Sequence, residues 1–424
     1  MAKIILAINA GSSSVKVSVF SFESPTKDPK QLAEIQISGL TAPPAKLKYT
    51  RGDLKIKDQE VQDVDSQQSA YEYIIKHLTE DSGLPELKHR DDIEFACHRV
   101  VHGGDYDRPT RIDRDTYHHL EKLSDLAPLH NAGALTIVRA VHANNEKVNN
   151  IAFFDSAFHS TIPKHSTTYA IDQKVAEHNK LRKYGFHGIS YQFITRSVAT
   201  HLNKPKDQLN IIALHLGSGA SACVIQNGKS LDNSMGLTPL AGLPGATRSG
   251  DVDPSLIFHF THQAGKLSPS STKDMSITQA EDILNKKSGW SVITGTTDFG
   301  VISQKAEQGD EKCNLAFDIF IDRILGFVGS YYVKLGGNVD ALVFAGGIGE
   351  KGVQLRRAVA EKARCLGFEL DEQKNENPST DDVVVDVGKK ESRHRVLVVQ
   401  TDEQAEMARQ CAKQADELRQ EVSK

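Results

Sequence analysis

The sequence predicts an α/β protein with two domains, and three observations lead to this fold class. The chain has 424 residues, of which 39% are hydrophobic, so it is long enough to bury more than one core. An unbroken apolar run at 4–8 is followed by the turn AGSSS and by the alternating segment VKVSVF at 15–20. The same arrangement returns in NIIALHLGSGASACVIQNGKS at 210–230. A buried strand, a tight turn and a second strand are therefore predicted twice.

Composition and charge argue against several classes of protein. The formal net charge is −4, with both signs spread along the chain, so there is no electrostatic reason to expect a nucleic-acid partner. The N-terminal apolar run is too short for a signal peptide or a membrane span, so no membrane is expected. Five scattered cysteines without CxxC spacing predict neither a disulfide framework nor a zinc site, and they fit a reducing, cytoplasmic compartment.

The first turn, INAGSSSVK at 8–16, joins one strand to another. This excludes a Walker P-loop, which needs GxxxxGK[ST] and a helix whose N-terminus faces the phosphate. The turn is thus either an ordinary hairpin or a phosphate cradle, because backbone N–H groups and serine hydroxyls in such a turn can surround an anion. The segment 40–69 is polar and predicts an exposed hairpin and a linker without chemistry.

Helices are predicted in the second half of the chain. Apolar residues at helical spacing precede the glycine pair at 336–337 and include Ile319, Ile324, Val328 and Leu335. A strand at 341–345 then runs into a third glycine cluster, AGGIGE. A last helix is predicted in the C-terminal tail, with one apolar face formed by Met407, Cys411, Ala415 and Leu418.

Several short stretches place polar groups among apolar ones. They are CHRVVHGG at 97–104, LAPLHNAGA at 126–134, AFFDSAFH at 152–159, KYGFHGIS at 183–190, LTPLAGLPGATRSGDVDP at 237–254 and TDEQ at 401–404. His98 and His102 could form a metal pair on a helix, but the intervening valines favour a strand. His130 could simply begin a helix, and His187 could be a core histidine.

The charged residues of these stretches also have structural explanations. Arg99 and Arg248 lie near glycine or proline, where a structural salt bridge is the plain alternative to a binding role. Asp155 follows the apolar run at 151–154. An acid at the end of a buried strand is a frequent site position in open α/β sheets, although it is also a frequent helix cap.

The order of these stretches resembles the acetate kinase family, a branch of the superfamily of acetate and sugar kinases, heat-shock-70 proteins and actin. INAGSSSVK, HRVVHGG, YGFHG, TRSGDVDP and AGGIGE follow one another, and the resemblance extends from Asn9 to Glu403. It implies two ribonuclease-H-like (actin-like ATPase) domains around a central cleft. The expected boundaries are an N-terminal domain at 1–157, onto which a C-terminal helix at 403–424 packs, and a nucleotide-binding and dimerisation domain at 158–402.

The resemblance implies reversible, Mg²⁺-dependent transfer of the γ-phosphoryl group of ATP to acetate, giving acetyl phosphate and ADP; Mn²⁺ is an expected substitute for Mg²⁺. A carboxylate has a reference pKa of about 4, so the nucleophile is already ionised and needs no general base. Catalysis must instead bring two anions together and stabilise a metaphosphate-like transition state. Arginine suits this task because its planar fork of donors matches carboxylate and phosphoryl oxygens.

Residue roles are carried over from the family by position. The implied catalytic residues are Arg99, His130, Asp155, His187 and Arg248, with Asp155 orienting either a metal-bound water or Arg248. The implied wall around the acetate methyl group consists of Val101, Leu129, Phe186 and Pro239. The implied metal ligands are Asn9 and Glu403. The implied nucleotide-binding residues are Ser12, Ser14, Lys16, His215, Gly217, Ser218, Gly219, Asp298, Phe299, Gly300, Gly347, Ile348 and Gly349; a solvated surface lysine is the alternative for Lys16.

The chain departs from the family pattern mainly on the nucleotide side. Asparagine is usual at Ser218 and at Lys351, arginine at Gly300 and histidine at Tyr191. An enzyme that uses pyrophosphate and phosphate is therefore an alternative, as is a propionate or butyrate kinase. A nucleotide-binding clamp without transferase activity is an alternative from another class. The resemblance also implies a homodimer that pairs through the second domain.

Overall fold

The computed structural model describes residues 3–11, 13–123, 128–254, 256, 264–266, 276–379 and 381–420. Within these ranges, the side chains of 128–130, 132, 264–266, 276–278 and 420 are left out of the description. The chain divides into two compact units. Unit 1 comprises 1–157 and 402–424, and unit 2 comprises 158–401.

Five strands open the described chain, and the remaining strands and helices are mixed after them. The strands are β1 (Lys3–Ala10), β2 (Ser14–Phe22), β3 (Lys30–Ser38), β4 (Ala45–Arg51), β5 (Leu54–Val61), β6 (Ile93–Val100), β7 (Thr110–Arg111), β8 (Asn149–Phe154), β9 (Ile211–Leu216), β10 (Ala220–Gln226), β11 (Lys229–Asn233), β12 (Ala264–Lys266), β13 (Ser276–Thr278), β14 (Ala341–Ala345), β15 (Val384–Asp386) and β16 (Arg395–Val399). The helices are α1 (Gln67–Glu80), α2 (Arg114–Leu123), α3 (Pro128–Asn144), α4 (Lys164–Thr167), α5 (Gln173–His178), α6 (Gly188–His201), α7 (Gln279–Lys286), α8 (Gly289–Thr294), α9 (Phe299–Glu307), α10 (Glu311–Lys334), α11 (Gly346–Lys351), α12 (Val353–Lys362), α13 (Glu372–Glu376), α14 (Glu403–Lys413) and α15 (Ala415–Gln420).

The two units repeat one strand order. In unit 1 the eight-stranded sheet runs β5-β4-β3-β2-β1-β6-β8-β7, and in unit 2 the six-stranded sheet runs β11-β10-β9-β14-β16-β15. In both sheets the first three strands of the unit are antiparallel neighbours, and the first strand pairs in parallel with the next core strand. A further parallel strand follows on the same side. The fold is therefore α/β with two ribonuclease-H-like sheets, as the sequence predicts.

Tight turns join the first two strands of each unit. In unit 1, Ala10 pairs with Val15 and the N–H of Gly11 donates to the carbonyl of Ser14 at 2.9 Å. In unit 2, Leu216 pairs with Ala220, and the N–H of Gly217 donates to the carbonyl of Gly219 at 3.2 Å. The strand–turn–strand arrangement predicted at both places is confirmed.

Each unit has its own apolar core. In unit 1, alternate residues of β1 and β2 pack against α1 and α3. In unit 2, one face of the sheet packs against helices that include α9, α10 and α12, whereas the other face packs against α6. The apolar face of the tail helix is buried: Met407, Cys411, Ala415 and Leu418 are at most 2% exposed. Helix α14 packs on β1, β2 and β6 within unit 1.

The structure adds detail to two further predictions from the sequence. The segment 40–69 forms a hairpin, but β4 buries Leu47 and Tyr49 because it extends the sheet beyond β3, so this part is not simply exposed. Helix α10 ends before the glycine pair as predicted, although Phe320 is buried more fully than Ile319. Among the helices of the described residues, none has the length and apolar character that crossing a membrane requires.

Candidate active site

An arginine–aspartate pair lies where two parallel strands of unit 1 end. Strands β6 and β8 are parallel neighbours, and the N–H of Asp155 donates to the carbonyl of Val100 at 3.1 Å. This places Asp155 beside Arg99. The Arg99 guanidinium donates to both carboxylate oxygens, from Nε at 3.1 Å to Oδ1 and from Nη2 at 2.7 Å to Oδ2. The Asp155 side chain is 1% exposed and that of Arg99 is 21% exposed, so a nearly buried carboxylate orients a partly accessible cation.

Other polar groups surround this arginine. Nη1 of Arg99 donates to Oδ1 of Asn9, at the end of β1, at 3.4 Å. Burial alone would lower the pKa of Arg99, but the charge and hydrogen bonds of Asp155, together with the charge of Glu403, hold it above its ordinary value. Glu403 is the first residue of α14, which Asp402 caps by accepting from the N–H of Ala405. An amide, a carboxylate and a permanently charged guanidinium are thus grouped in unit 1.

These groups fit a magnesium ion by their chemistry. Asn9 and Glu403 offer oxygen ligands, which Mg²⁺ prefers, and Mg²⁺ usually keeps several waters and substrate oxygens in its shell. Within the part of the chain that the structure describes, no cluster of three or more His, Cys, Asp or Glu side chains could hold a metal by itself. Two such ligands would leave most of the Mg²⁺ shell to water and to other groups.

A residue of α3 holds the loop after β6 in place by hydrogen bonds. The side chain of Asn131 accepts from the N–H of His102 and donates to its carbonyl, both at 3.0 Å. Asn131 is fully buried, and sequence reasoning missed it although it stands next to His130 in the stretch LAPLHNAGA. Val101 is half-buried at the start of this loop. His130 and Leu129 belong to the first turn of α3, and their side chains lie outside the described residues.

The histidines predicted in the glycine-rich stretches of unit 2 lie together. His187 has a left-handed backbone conformation (φ 60°) just before α6, and its ring lies 4.3 Å from that of His215 on β9. Nδ1 of His187 is 2.8 Å from Oγ of Ser221, which in turn is 2.6 Å from the hydroxyl of Tyr191. Nδ1 of His215 is 2.8 Å from Oγ of Ser190. Ser190 and Ser221 gave no functional signal in the sequence.

Arg248 lies against the second glycine turn. Its Nη1 donates to the carbonyl of Pro239 at 3.2 Å, and a Cβ at Gly219 would come within 3.1 Å of its Nη2. The loop of Arg248 is tied to the turn by the N–H of Ala246, which donates to the carbonyl of Ser218 at 2.8 Å. The structure thus brings together Arg248, Pro239 and the Gly217–Ser218–Gly219 turn. Phe186, which precedes His187 in the chain, is fully buried, so its side chain packs in the interior of unit 2.

The predicted nucleotide residues fall into different environments. Asp298 caps α9 by accepting from the N–H groups of Gly300 and Val301, and Phe299 is buried against Trp290 and Phe320. The glycines after β14 begin α11, where Gly347 faces open space and Gly349 is buried. Ile348 in the same turn is half-buried.

The first turn contributes fewer described groups. Lys16 lies opposite Asn9 in the β1–β2 pair and forms an ion pair with Glu34 at 2.9 Å, as a surface lysine would. Ser14 begins β2, and Ser12 lies outside the described residues.

Two α/β units that repeat one strand order, with a glycine–serine turn after the first strand of each, define a ribonuclease-H-like protein of the actin-like ATPase class. Residues 4–409 match the model of the acetokinase family. The chain belongs to this family, and it is an enzyme that transfers a phosphoryl group to a carboxyl group.

Relatives and solved structures agree with this assignment. The chain is 55% identical to a probable acetate kinase from Emericella nidulans, over 97% of this chain and 98% of that protein. It is similar to the structure of a propionate kinase from Francisella tularensis, with a TM-score of 0.83, 34% identity and coverage of 96% and 98%. An acetate kinase from Porphyromonas gingivalis gives a TM-score of 0.80, with 32% identity and the same coverage.

Proposed function

We propose that the chain is an acetate kinase, which transfers the γ-phosphoryl group of ATP reversibly to acetate and forms acetyl phosphate and ADP. The observation that supports this most strongly is the Arg99–Asp155 pair, in which a buried carboxylate fixes an arginine at the ends of two parallel strands. A guanidinium fixed in this way presents its remaining donors to a carboxylate or a phosphoryl group. The names of relatives indicate the acceptor: the protein from Emericella nidulans is called a probable acetate kinase, and the solved structure from Porphyromonas gingivalis is that of an acetate kinase.

The acceptor needs alignment rather than activation. Acetate is ionised at neutral pH, so a carboxylate oxygen attacks the γ-phosphorus directly while the bond to the bridging oxygen of ADP breaks in line. Arg99 would neutralise the acceptor and orient it. Asp155, whose two oxygens accept from Arg99, would act by keeping the guanidinium in place, and it has no proton to remove from the nucleophile.

The transferring group needs donors for its equatorial oxygens. Arg248 and His187 would stabilise the charge that spreads over these oxygens in the transition state. His130 would support the same group. The Gly217–Ser218–Gly219 turn and the turn at 10–14 would bind the nucleotide phosphates through backbone N–H groups and hydroxyls, with Lys16 and His215 nearby.

Asn9 and Glu403 would hold the magnesium ion, which supplies positive charge to the phosphate oxygens when it is bound. The segment of Asp298, Phe299 and Gly300 and the glycines of α11 would bind the nucleoside. Because Phe299 packs in the core, its backbone is the part suited to a nucleotide contact.

The acceptor pocket should favour a short acid. Val101, Leu129, Phe186 and Pro239 are the proposed wall, and one added methylene contributes about 0.8 kcal/mol when it fits but clashes when it does not. We expect acetate to be preferred over propionate, with butyrate poor. Val101→Ala should raise kcat/KM for propionate relative to acetate. An unchanged ratio of the two values would remove Val101 from the pocket.

Two alternatives have specific support. A structural relative is a propionate kinase, which makes propionate the main competing acceptor. Ser218, Gly300 and Lys351 differ from the usual family residues, which makes pyrophosphate the main competing donor. The retained sequence AGGIGE favours ATP, because its glycines allow close approach of the backbone to adenosine.

We also propose that the protein is a homodimer and that it is located in the cytoplasm. Several large apolar side chains of unit 2 face solvent in the single chain, among them Val292 at 61%, Leu315 at 54% and Val333 at 76% exposure. In the proposed homodimer, we expect a second copy to bury these side chains. Light scattering of the purified protein should give twice the mass of the chain.

The experiment that tests the proposed function is a panel of donors and acceptors. Acetyl phosphate formation is measured with ATP and with pyrophosphate, each with acetate, propionate and butyrate. ATP with acetate should give the highest kcat/KM. Turnover with pyrophosphate alone would show that pyrophosphate, not ATP, is the phosphoryl donor. A higher kcat/KM for propionate would show that propionate is the acceptor. No turnover with any donor and acceptor would favour a nucleotide-binding clamp without transferase activity.

A further inference from the structure

A line of hydrogen bonds in unit 2 ends on His187. It begins at the buried hydroxyl of Tyr191 on α6, passes at 2.6 Å to Oγ of Ser221 on β10, and continues at 2.8 Å to Nδ1 of His187. Tyr191 and Ser221 are both fully buried. The line therefore connects the ring of His187 to the interior of unit 2 through two hydroxyl groups.

The donors and acceptors of this line have one consistent order. Among the described residues, Oγ of Ser221 is the hydrogen-bond partner of the buried Tyr191 hydroxyl. A buried phenol that keeps its proton donates it to this partner, and the Ser221 hydroxyl is then left to donate to Nδ1 of His187. A histidine whose Nδ1 accepts a hydrogen bond is neutral and has its proton on Nε2.

We propose that Tyr191 is a positioning residue which, through Ser221, keeps His187 as the neutral tautomer with the proton on Nε2. The inference rests on the proposed function, in which His187 donates a hydrogen bond to an oxygen of the transferring phosphoryl group. Of the two neutral tautomers, only the Nε2–H form, held by a bond at Nδ1, presents that donor in a fixed direction.

The surroundings of Tyr191 support its role as a permanent donor. Burial raises the pKa of the Tyr191 phenol well above its ordinary value, so the hydroxyl keeps its proton at neutral pH. The His215 ring, 4.3 Å from the ring of His187, packs against it and restricts its rotation. His215 is itself held through Nδ1 by Ser190, whose hydroxyl is 2.8 Å from that of Thr401.

A second buried tyrosine in unit 2 provides a matched control. Tyr331 on α10 is 1% exposed, like Tyr191 in its burial, but its hydroxyl has no hydrogen-bond partner. Tyr331→Phe removes a buried hydroxyl of the same kind without cutting a hydrogen bond. Tyr191→Phe removes one atom from the line to His187 and preserves the volume of the ring.

The test combines nitrogen NMR with kinetics. The ¹⁵N signals of the His187 ring, assigned by their loss in His187→Gln, report which nitrogen has the proton. The wild-type protein and Tyr331→Phe should show the Nε2–H tautomer. Tyr191→Phe should show a mixture of tautomers and a kcat lower by about 5- to 30-fold, with KM values for acetate and ATP within about two-fold of wild type. Ser221→Ala should give the same NMR pattern.

The outcomes separate this inference from the proposed function. An unchanged tautomer in Tyr191→Phe and in Ser221→Ala would overturn the inference, whatever the activity of the wild type. A wild type without acetate turnover would overturn the proposed function, and the NMR result would still decide the tautomer. An equal fall of kcat in Tyr191→Phe and Tyr331→Phe would assign the effect to packing and overturn the positioning role.

Discussion

The two arginines proposed to act in phosphoryl transfer are held by different means. Arg99 in unit 1 donates to both oxygens of a carboxylate that is 1% exposed. Arg248 in unit 2 donates to a backbone carbonyl, that of Pro239, and lies against a glycine at position 219. The contacts described for Arg99 are with a carboxylate, and those described for Arg248 are with the backbone of Pro239 and Gly219.

This difference predicts how folding and activity respond when each arginine is removed. Removal of Arg99 leaves Asp155 buried without its charge partner, so function and folding should suffer together. At the Pro239 carbonyl, removal of Arg248 takes away one donor and leaves no buried charge behind, so we expect a smaller loss of stability than for Arg99. Four predictions follow from the contrast, in order of decreasing effect.

Arg99→Ala should have the largest effect. We expect kcat/KM for acetate to fall by about 10³-fold or more, because the variant loses a preorganised cation. The free energy of unfolding of unit 1 should fall by about 3–5 kcal/mol, since one partner of a largely buried pair is gone. Urea unfolding and steady-state assays measure the two effects. A stable, inactive variant would show that Asp155 does not depend on Arg99.

Arg248→Ala should reduce activity by about 10²- to 10³-fold while it leaves the urea midpoint close to that of wild type. Arg248→Lys should not restore activity, because an ammonium group lacks the planar fork of donors. Loss of stability as large as in Arg99→Ala would contradict the proposed contrast between the two arginines.

Each unit also buries a neutral histidine, which predicts acid sensitivity. Burial lowers the pKa of His98 in unit 1 from its ordinary 6.5 to about 4, although Asn150 partly opposes this, and burial likewise lowers the pKa of His159 in unit 2 to about 4. The unfolded chain therefore takes up protons before the folded one, and stability is lost as the pH falls from about 6.5 towards 4. Between pH 7 and pH 5 the loss should be about 2 kcal/mol for each histidine.

The two histidines differ in their hydrogen bonds. His159 has partners at both nitrogens, Ser230 and the carbonyl of Phe186, whereas Nδ1 of His98 is buried without one. His98→Gln should abolish the acid-induced loss in unit 1 only, as followed by urea unfolding at pH 5 and pH 7. If His98→Gln loses as much stability between pH 7 and pH 5 as the wild type, other groups cause the loss.

Gly219→Ala should have the smallest effect on activity. The new Cβ would lie 3.1 Å from Nη2 of Arg248, so the guanidinium must shift by a few tenths of an ångström. We expect kcat to fall by roughly 5- to 10-fold with little change in stability, because small displacements of a catalytic group are costly. A variant with wild-type kcat would show that the position of Arg248 tolerates such a shift.

Local sequence predicted the secondary structure around the candidate site better than the side-chain contacts within it. Both strand–turn–strand pairs, the long helix before the third glycine cluster and the buried strand before Asp155 follow from local periodicity, which is written in neighbouring residues. A structural salt bridge and a functional arginine were opposed interpretations of Arg99. The structure shows the salt bridge, with Asp155, and such a pair is compatible with function because Arg99 remains partly accessible.

Other features depend on contacts between distant residues, and local sequence does not encode these. Tyr191 meets Ser221 only because α6 packs near β10, and Asn131 meets His102 only because α3 lies beside the end of β6. Phe299 resembles a nucleotide contact in sequence, yet it packs among Trp290 and Phe320. Its neighbour Asp298 caps a helix, a role that its spacing before an apolar run also fits.

The most direct test of the account is a double-mutant cycle between Arg99 and Asp155. The values of kcat/KM for acetate are measured with ATP for Arg99→Ala, for Asp155→Asn and for the double variant, after circular dichroism has shown that each is folded. If Asp155 acts by holding Arg99, the double variant will be no slower than Arg99→Ala alone. If the two losses multiply, Asp155 acts independently of Arg99, and the account of a carboxylate that orients the acceptor-binding cation is wrong.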